Sequence, residues 1–371
     1  MNLDRVSQVL EGLTNVTWQS LVMMAIGGLL IYLAVAREYE PLLLLPIGAG
    51  AILTNLPLSP LVGEDGLLQI LYDVGVGNEL FPLLIFVGIG ALTDFGPLLE
   101  NPKMVLLGAA GQFGIFLTLI LALLLGFTRE EAASIGIIGA IDGPTSIYVS
   151  GILAPHLLGP ITVAAYSYMS LVPIIMPPVM RLLTTKAERA IRMPYSQRHI
   201  SQRTRILFPI IVTVGVGLLV PFATPLIGML MLGNLMRESK VVERLTNASA
   251  NEMANVVTLF LGLAIGSTMR GEDFLRGSTL AILALGLLAF LLDTATGVLF
   301  GKLMNVFTRG HFNPLIGAAG ISAFPMAARV VQKEAAREDF SNFLLMHAMG
   351  ANAAGQVASV VAGGVLLALM A

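Results

Sequence analysis

The sequence predicts an all-α, polytopic helical membrane protein, with about 10–12 membrane elements in two inverted repeats and broken or re-entrant helices at the midplane. Three observations lead there. Of the 371 residues, 56% are hydrophobic and 12% charged, against roughly 45–50% and about 25% in a soluble domain. Apolar runs such as Lys103 to Gly126 and Gly277 to Phe300 recur along the chain, and about 20 apolar residues suffice to cross a bilayer. Two other runs carry Gly, Pro, Ser, Thr and Asn in their middles, where a plain span would be apolar.

Read between charges, membrane elements fall near 18–36, 40–56, 80–95, 103–126, 132–153, 158–183, 206–221, 223–236, 250–269, 277–303, 312–331 and 341–370. Residues 1–17, with Asp4, Arg5 and Glu11, lack the basic start and apolar core of a signal peptide and predict a surface helix. Residues 18–183 form a first membrane repeat and 206–371 a second. Between them, 184–205 carries Lys186, Arg189, Arg192, Arg198, Arg203 and Arg205 against the single acid Glu188. An excess of basic residues marks a cytoplasmic loop, and the same charge would also suit docking of a cytoplasmic partner.

The repeats are visible as matched motifs. Leu45-Pro46-Ile47-Gly48 with Asn55 returns as Pro225-Leu226-Ile227-Gly228 with Asn234, Phe86 to Gly90 returns as Phe260 to Ala264, and Ile138-Gly139-Ala140 returns as Ile316-Gly317-Ala318. The offsets are nearly constant, which argues for a duplicated unit. Paired broken helices at matching positions of two halves point to an ion or substrate site between them.

Composition excludes several function classes. With no cysteine the chain has no disulfide, no thiolate nucleophile and no Cys-ligated metal, and a net charge of -2 offers nothing to nucleic acid. His156, His199, His311 and His347 show no ligand spacing.

In the first broken segment, Asp142-Gly143-Pro144-Thr145-Ser146 cannot continue a helix, because proline lacks the donor and clashes with the preceding turn. Opened backbone, the Asp142 carboxylate and the Thr145 and Ser146 hydroxyls make a hard-oxygen cluster suited to a small cation. An aspartate at mid-membrane costs about 2.5–3.5 kcal/mol on insertion scales, which marks it as functional; the alternative role is a helix cap. The second broken segment runs from Asn313-Pro314 through Gly317, Gly320 and Ser322 to Arg329. Asn313 and Ser322 offer oxygens, and Arg329 offers a planar cation to an anion or snorkels at a membrane edge. Asn352 and Gln356 set two amides in a small-residue helix, for packing or for ligation. Tyr166 reads as an interfacial belt residue and Tyr168 as the better proton donor. Asp293 is a further acid in an apolar run, suited to a second ion site or to pairing with a cation.

The runs Gly139-Ala-Ile-Asp142-Gly143-Pro144-Thr145, Ala165-Tyr-Ser-Tyr168-Met-Ser-Leu-Val-Pro and Asn313-Pro-Leu-Ile-Gly317-Ala-Ala-Gly320-Ile-Ser322, followed by Arg329, resemble the beta subunit of sodium ion-translocating biotin-dependent decarboxylases, the oxaloacetate, methylmalonyl-CoA, glutaconyl-CoA and malonate types. The resemblance covers essentially the whole chain. It implies a subunit of the prokaryotic inner membrane that decarboxylates carboxybiotin, consumes a proton and exports sodium. Biotin would be carried on a partner. The implied sodium positions are Asp142, Thr145, Asn313, Gly317, Ser322 and Asn352. Arg329 would contact carboxybiotin, and Tyr168 and Ser322 would handle protons. Implied partners are a biotin carrier protein, a carboxyltransferase alpha subunit, a small gamma or delta membrane subunit, lipid, and further copies of the chain. The rival reading is a sodium- or proton-coupled transporter of a small carboxylate.

Overall fold

The structure is a computed structural model that describes residues 11–12, 14–63, 65–194 and 199–370, so the surface helix expected over 1–17 lies largely outside the described residues. The described residues are helical, without strands. The longer helices are α1 (Trp18–Arg37), α2 (Pro41–Thr54), α3 (Leu67–Gly75), α4 (Leu80–Leu92), α5 (Val105–Ala110), α6 (Phe113–Leu124), α7 (Arg129–Gly136), α8 (Gly143–Leu153), α9 (Leu158–Leu183), α10 (Gln202–Leu219), α11 (Thr224–Ser239), α12 (Ala254–Ser267), α13 (Gly277–Phe307), α14 (Met326–Glu338) and α15 (Leu345–Met370). Seven helices among the described residues are long and apolar enough to cross a membrane, or eight if the bent pair through α3 and α4 is one span.

Lipid is as apolar as leucine, so helices in a membrane are held by close packing rather than by burial of apolar surface. Small residues supply that packing here. A Cβ on Gly27 would lie 2.7 Å from the Gly48 carbonyl where α1 crosses α2. One on Gly233 would lie 2.0 Å from the Val87 carbonyl where α11 crosses α4. Large apolar side chains face outward instead, among them Leu124, Leu182 and Leu219. Helix α10 buries only Pro209 and rides on the outside of the bundle.

The two broken segments enter the bundle from opposite ends. Arg129–Ala140 is about 18 Å long at 1.5 Å per residue, and α8 is about 17 Å, each little more than half of a ~30 Å hydrocarbon core. Their outer ends meet where His156 Nε2 lies 2.9 Å from Glu131. The segment therefore goes in to Asp142 and comes back out on the same side. Helix α9 then runs 26 residues to the other end. There Asn313 donates to the carbonyls of Arg189 (2.9 Å) and Ile191 (2.8 Å), and α14 returns to pair Glu334 with Arg181 and Glu338 with Arg189. The second segment thus starts and finishes at the linker end. Its tip touches the first, because the Ser322 amide donates to the Ala140 carbonyl at 3.1 Å.

The basic linker is held in place rather than free. Arg181 grips Glu334 through two nitrogens (2.7 and 2.9 Å), Arg192 meets Asp339 at 2.6 Å and Lys302 meets Glu188 at 3.3 Å. Arg189 is itself buried. Two of the linker's basic residues, Arg189 and Arg192, are thus spent on strapping the end of α14, and its acid Glu188 ties it to α13.

Candidate functional site

The first tip is built around a reversal at Ile141, whose φ of 51° lies in the left-handed region. A β-branched residue there costs on the order of 1–3 kcal/mol and persists only where the surroundings hold it. The reversal leaves Asp142 extended at the head of α8, where Pro144 in the first turn is compatible with helix because that N–H has no partner anyway. Asp142 caps α8 by accepting the Thr145 amide at 3.3 Å. The capping role set out as the alternative from sequence is therefore present, and the second carboxylate oxygen is left for other partners.

Oδ2 of Asp142 accepts three hydrogen bonds: from the Ser322 hydroxyl at 3.0 Å, the Ser359 hydroxyl at 2.6 Å and Gln356 Nε2 at 3.1 Å. The residues come from the second tip and from α15. Asp142 is 3% exposed, and no Lys, Arg or His pairs with it among the described residues. Nor do three His, Asp or Glu side chains converge anywhere among them. Asp142 is therefore the one carboxyl in a cluster of neutral hydroxyl and amide groups. Thr145 Oγ1 lies beside the carboxylate, and Asn352 Oδ1 is buried with no hydrogen-bond partner among the described residues; the Asn352 amide donates to the Ile321 carbonyl beside Ser322 at 2.7 Å. A hard monovalent cation is the group that one carboxylate, hydroxyls and amide carbonyls fit.

This chain matches the family described as Na+-transporting oxaloacetate decarboxylase beta subunit over residues 19–370. It belongs to that family. It is 54% identical to the methylmalonyl-CoA decarboxylase subunit beta of Veillonella parvula, with 97% of this chain and 95% of the relative covered. It is 52% identical to the glutaconyl-CoA decarboxylase subunit beta of Acidaminococcus fermentans (97% and 96%) and 47% identical to the oxaloacetate decarboxylase beta chain of Klebsiella pneumoniae (96% of each). As a member of this family, the chain is a multi-pass membrane subunit of the sodium-transporting decarboxylases, coupling decarboxylation to sodium transport.

Of the positions that sequence pointed to in this Na+-transporting beta subunit, the structure gathers Asp142, Thr145, Ser322 and Asn352. Two others lie apart. The Asn313 amide is consumed by the linker carbonyls while its oxygen caps the Leu315 amide at 3.0 Å. Gly317 makes a backbone crossing, since a Cβ there would sit 1.9 Å from the Gly297 carbonyl of α13. In this conformation both shape the second segment rather than lend oxygens to the cluster. Arg329 stands exposed in the first turn of α14, with no acid paired to it among the described residues.

Both tyrosines are buried. Tyr168 donates to the Leu283 carbonyl of α13 at 2.5 Å. Tyr166, read as a belt residue, is instead 6% exposed, with its ring laid against Gly143: a Cβ there would be 2.0 Å from the ring carbon that bears the hydroxyl. Of the two phenols, Tyr166 is the one packed beside Asp142. Ser359 escaped the sequence reading altogether. Its signal was the spacing 352, 356, 359, one face of a single helix, hidden in a run of alanine, glycine and valine that reads as packing.

Proposed function

We propose that the chain decarboxylates carboxybiotin presented by a biotin carrier protein of its complex, and that it drives sodium export from the free energy released, at the prokaryotic inner membrane. The observation that carries this is the buried Asp142, with no basic side chain paired to it among the described residues, at the meeting point of two tips that enter from opposite ends. A carboxylate there is reachable in turn from either side if the tips shift, as alternating access requires.

A duplicated, inverted architecture is supported by reciprocal contacts. The Asn55 amide donates to the Met269 carbonyl at 2.7 Å, beyond α12, and the Asn234 amide donates to the Thr93 carbonyl at 2.9 Å, beyond α4. Helix α2 packs on α12 and α4 on α11, so each element of one half meets its counterpart's partner in the other. Asp142 and Ser322 are 180 residues apart, close to the offset between the halves. The site then lies on the axis that relates them.

The residues present can perform the two tasks. Asp142, Thr145, Ser322 and Asn352 would hold sodium as cargo, with the Ser322 and Ser359 hydroxyls turning their lone pairs toward it, since a hydroxyl both donates and accepts. Arg329, exposed in the first turn of α14 and without an ion pair among the described residues, would anchor the carboxylate of carboxybiotin, a group the biotin carrier protein would bear. Release of carbon dioxide leaves the electron pair of the broken N–C bond on the biotin nitrogen, which takes up one proton. Tyr166, beside Asp142, and Tyr168 are the phenols placed to hold such a proton. A carboxyltransferase alpha subunit and a small gamma or delta subunit complete the assembly.

The test is decarboxylation of free carboxybiotin by the purified complex with sodium varied, wild type beside Asp142→Asn. Sodium-stimulated carbon dioxide release that disappears in the variant supports the reading. No release from the intact complex would overturn it.

A further inference from the structure

One buried acid has no part in that scheme. Asp293 lies midway along α13 and is completely buried. Two glycines leave room for its carboxyl: a Cβ on Gly114 would sit 2.7 Å from Oδ1, and one on Gly139 would sit 2.6 Å from Oδ2. Oδ1 accepts the Gly114 amide, and the Ile115 amide also donates to this carboxyl. Both donors belong to the first turn of α6, where unpaired N–H groups point outward. Oδ2 has no hydrogen-bond partner and no ion pair among the described residues.

A carboxyl in this position must bind something if it is to shed its charge. The backbone of Gly139 closes over Oδ2, which leaves no room for the shell of oxygens a metal cation needs. A proton needs no such shell. A neutral hydroxyl without an acceptor costs far less than a charge without a counter-ion. The elements packed around Asp293 supply no counter-ion: α5, α6, the 137–140 turn and the 314–320 turn contain no titratable residue. On α9 the nearest is Tyr168, engaged with Leu283. On α7, Arg129, Glu130 and Glu131 lie at the outer end, with Glu131 paired to His156.

We infer that Asp293 is a second proton-binding carboxyl, neutral while the 137–140 turn is packed on α13, and that loss of its proton drives this turn off α13. The turn leads directly to Asp142, and its last residue supplies the carbonyl that Ser322 binds. Departure of the turn would therefore open the oxygen cluster from the α13 side. Gly114 and Asp293 are 179 residues apart, the same offset that relates Asp142 to Ser322 within a residue. The second acid thus sits where equivalent positions of the two halves meet.

Neutrality of Asp293 can be measured without any turnover. Asp142 and Asp293 are the buried aspartates among the described residues. The whole complex, labelled with carbon-13 at the aspartate side-chain carboxyl, is examined by infrared spectroscopy at neutral pH. With Asp142→Asn in place, a carbonyl band of neutral aspartic acid that shifts on deuteration is expected to remain, and to vanish when Asp293→Asn is added. Absence of such a band in Asp142→Asn alone overturns the inference, and this arm leaves Asp293 untouched, so it does not depend on how the double variant folds. The movement is read with Ile138→Cys in this cysteine-free chain: maleimide labelling should rise over the pH range in which the band is lost. Labelling that stays flat across that range rejects the movement.

Discussion

At the scale of residues, the account rests on one carboxylate whose Oδ2 takes three donors from two separate elements. Asp142→Asn keeps the shape and removes the charge, so sodium-stimulated decarboxylation should fall by at least about 100-fold, beyond the 10–100-fold typical of outer partners. Ser359→Ala removes the shortest of the three bonds and should act as such a partner, raising the sodium concentration for half-maximal rate by about 10–100-fold with a smaller effect on the limiting rate; steady-state rates at varied sodium decide it. Asp142 and Ser322 were legible from sequence because a charge and a hydroxyl inside broken apolar segments have few structural uses. Ser359 was not, since a serine in a packed helix can satisfy itself on its own backbone. The Asn313 amide was misplaced for the opposite reason: a polar residue in a functional-looking segment turned out to cap a turn and hold the linker.

At the scale of elements, the second segment depends on a backbone crossing that tolerates no side chain. Gly317→Ala would push its methyl into the Gly297 carbonyl, and such overpacking costs about 1–3 kcal/mol. A lowered midpoint of thermal unfolding in detergent is the expected reading. The strap between linker and α14 makes a pH statement. Arg192 holds the Asp339 carboxyl down to about 2, from an ordinary 3.8. A depressed folded-state value stabilises the strap above the ordinary value and gives that stabilisation up only as pH falls through the folded one. Proteolysis within 184–205 should therefore be unchanged between about pH 7 and pH 5, and increase below about pH 4. Asp339→Asn should increase it already at neutral pH. Helix α9 matches its sequence boundaries at both ends, 158 and 183, because a long, mostly apolar run between Pro155 and Lys186 leaves little choice even with prolines inside it. Helix α3, short and amphipathic, gave no spanning run and was not expected.

At the scale of the molecule, matched motifs in the two halves were readable and led to the expectation of inversion, whereas the end at which each broken segment enters was not. That end depends on which elements are tied together, and the ties are ion pairs and side-chain bonds between residues far apart in sequence: His156 with Glu131 at one end, Arg189 with Glu338 and Asn313 with the linker at the other. Two tips entering from opposite ends and meeting at one buried carboxylate give a route that is closed on both sides at the same time. Coupling follows if sodium occupancy of Asp142 and arrival of the consumed proton exclude each other. The most direct measurement is carbon dioxide release and radiolabelled sodium uptake, recorded together on inside-out proteoliposomes of the whole complex, wild type beside Asp142→Asn. Both processes are expected to run in fixed proportion in the wild type and to be lost together in the variant; sodium uptake that persists in Asp142→Asn would contradict the account.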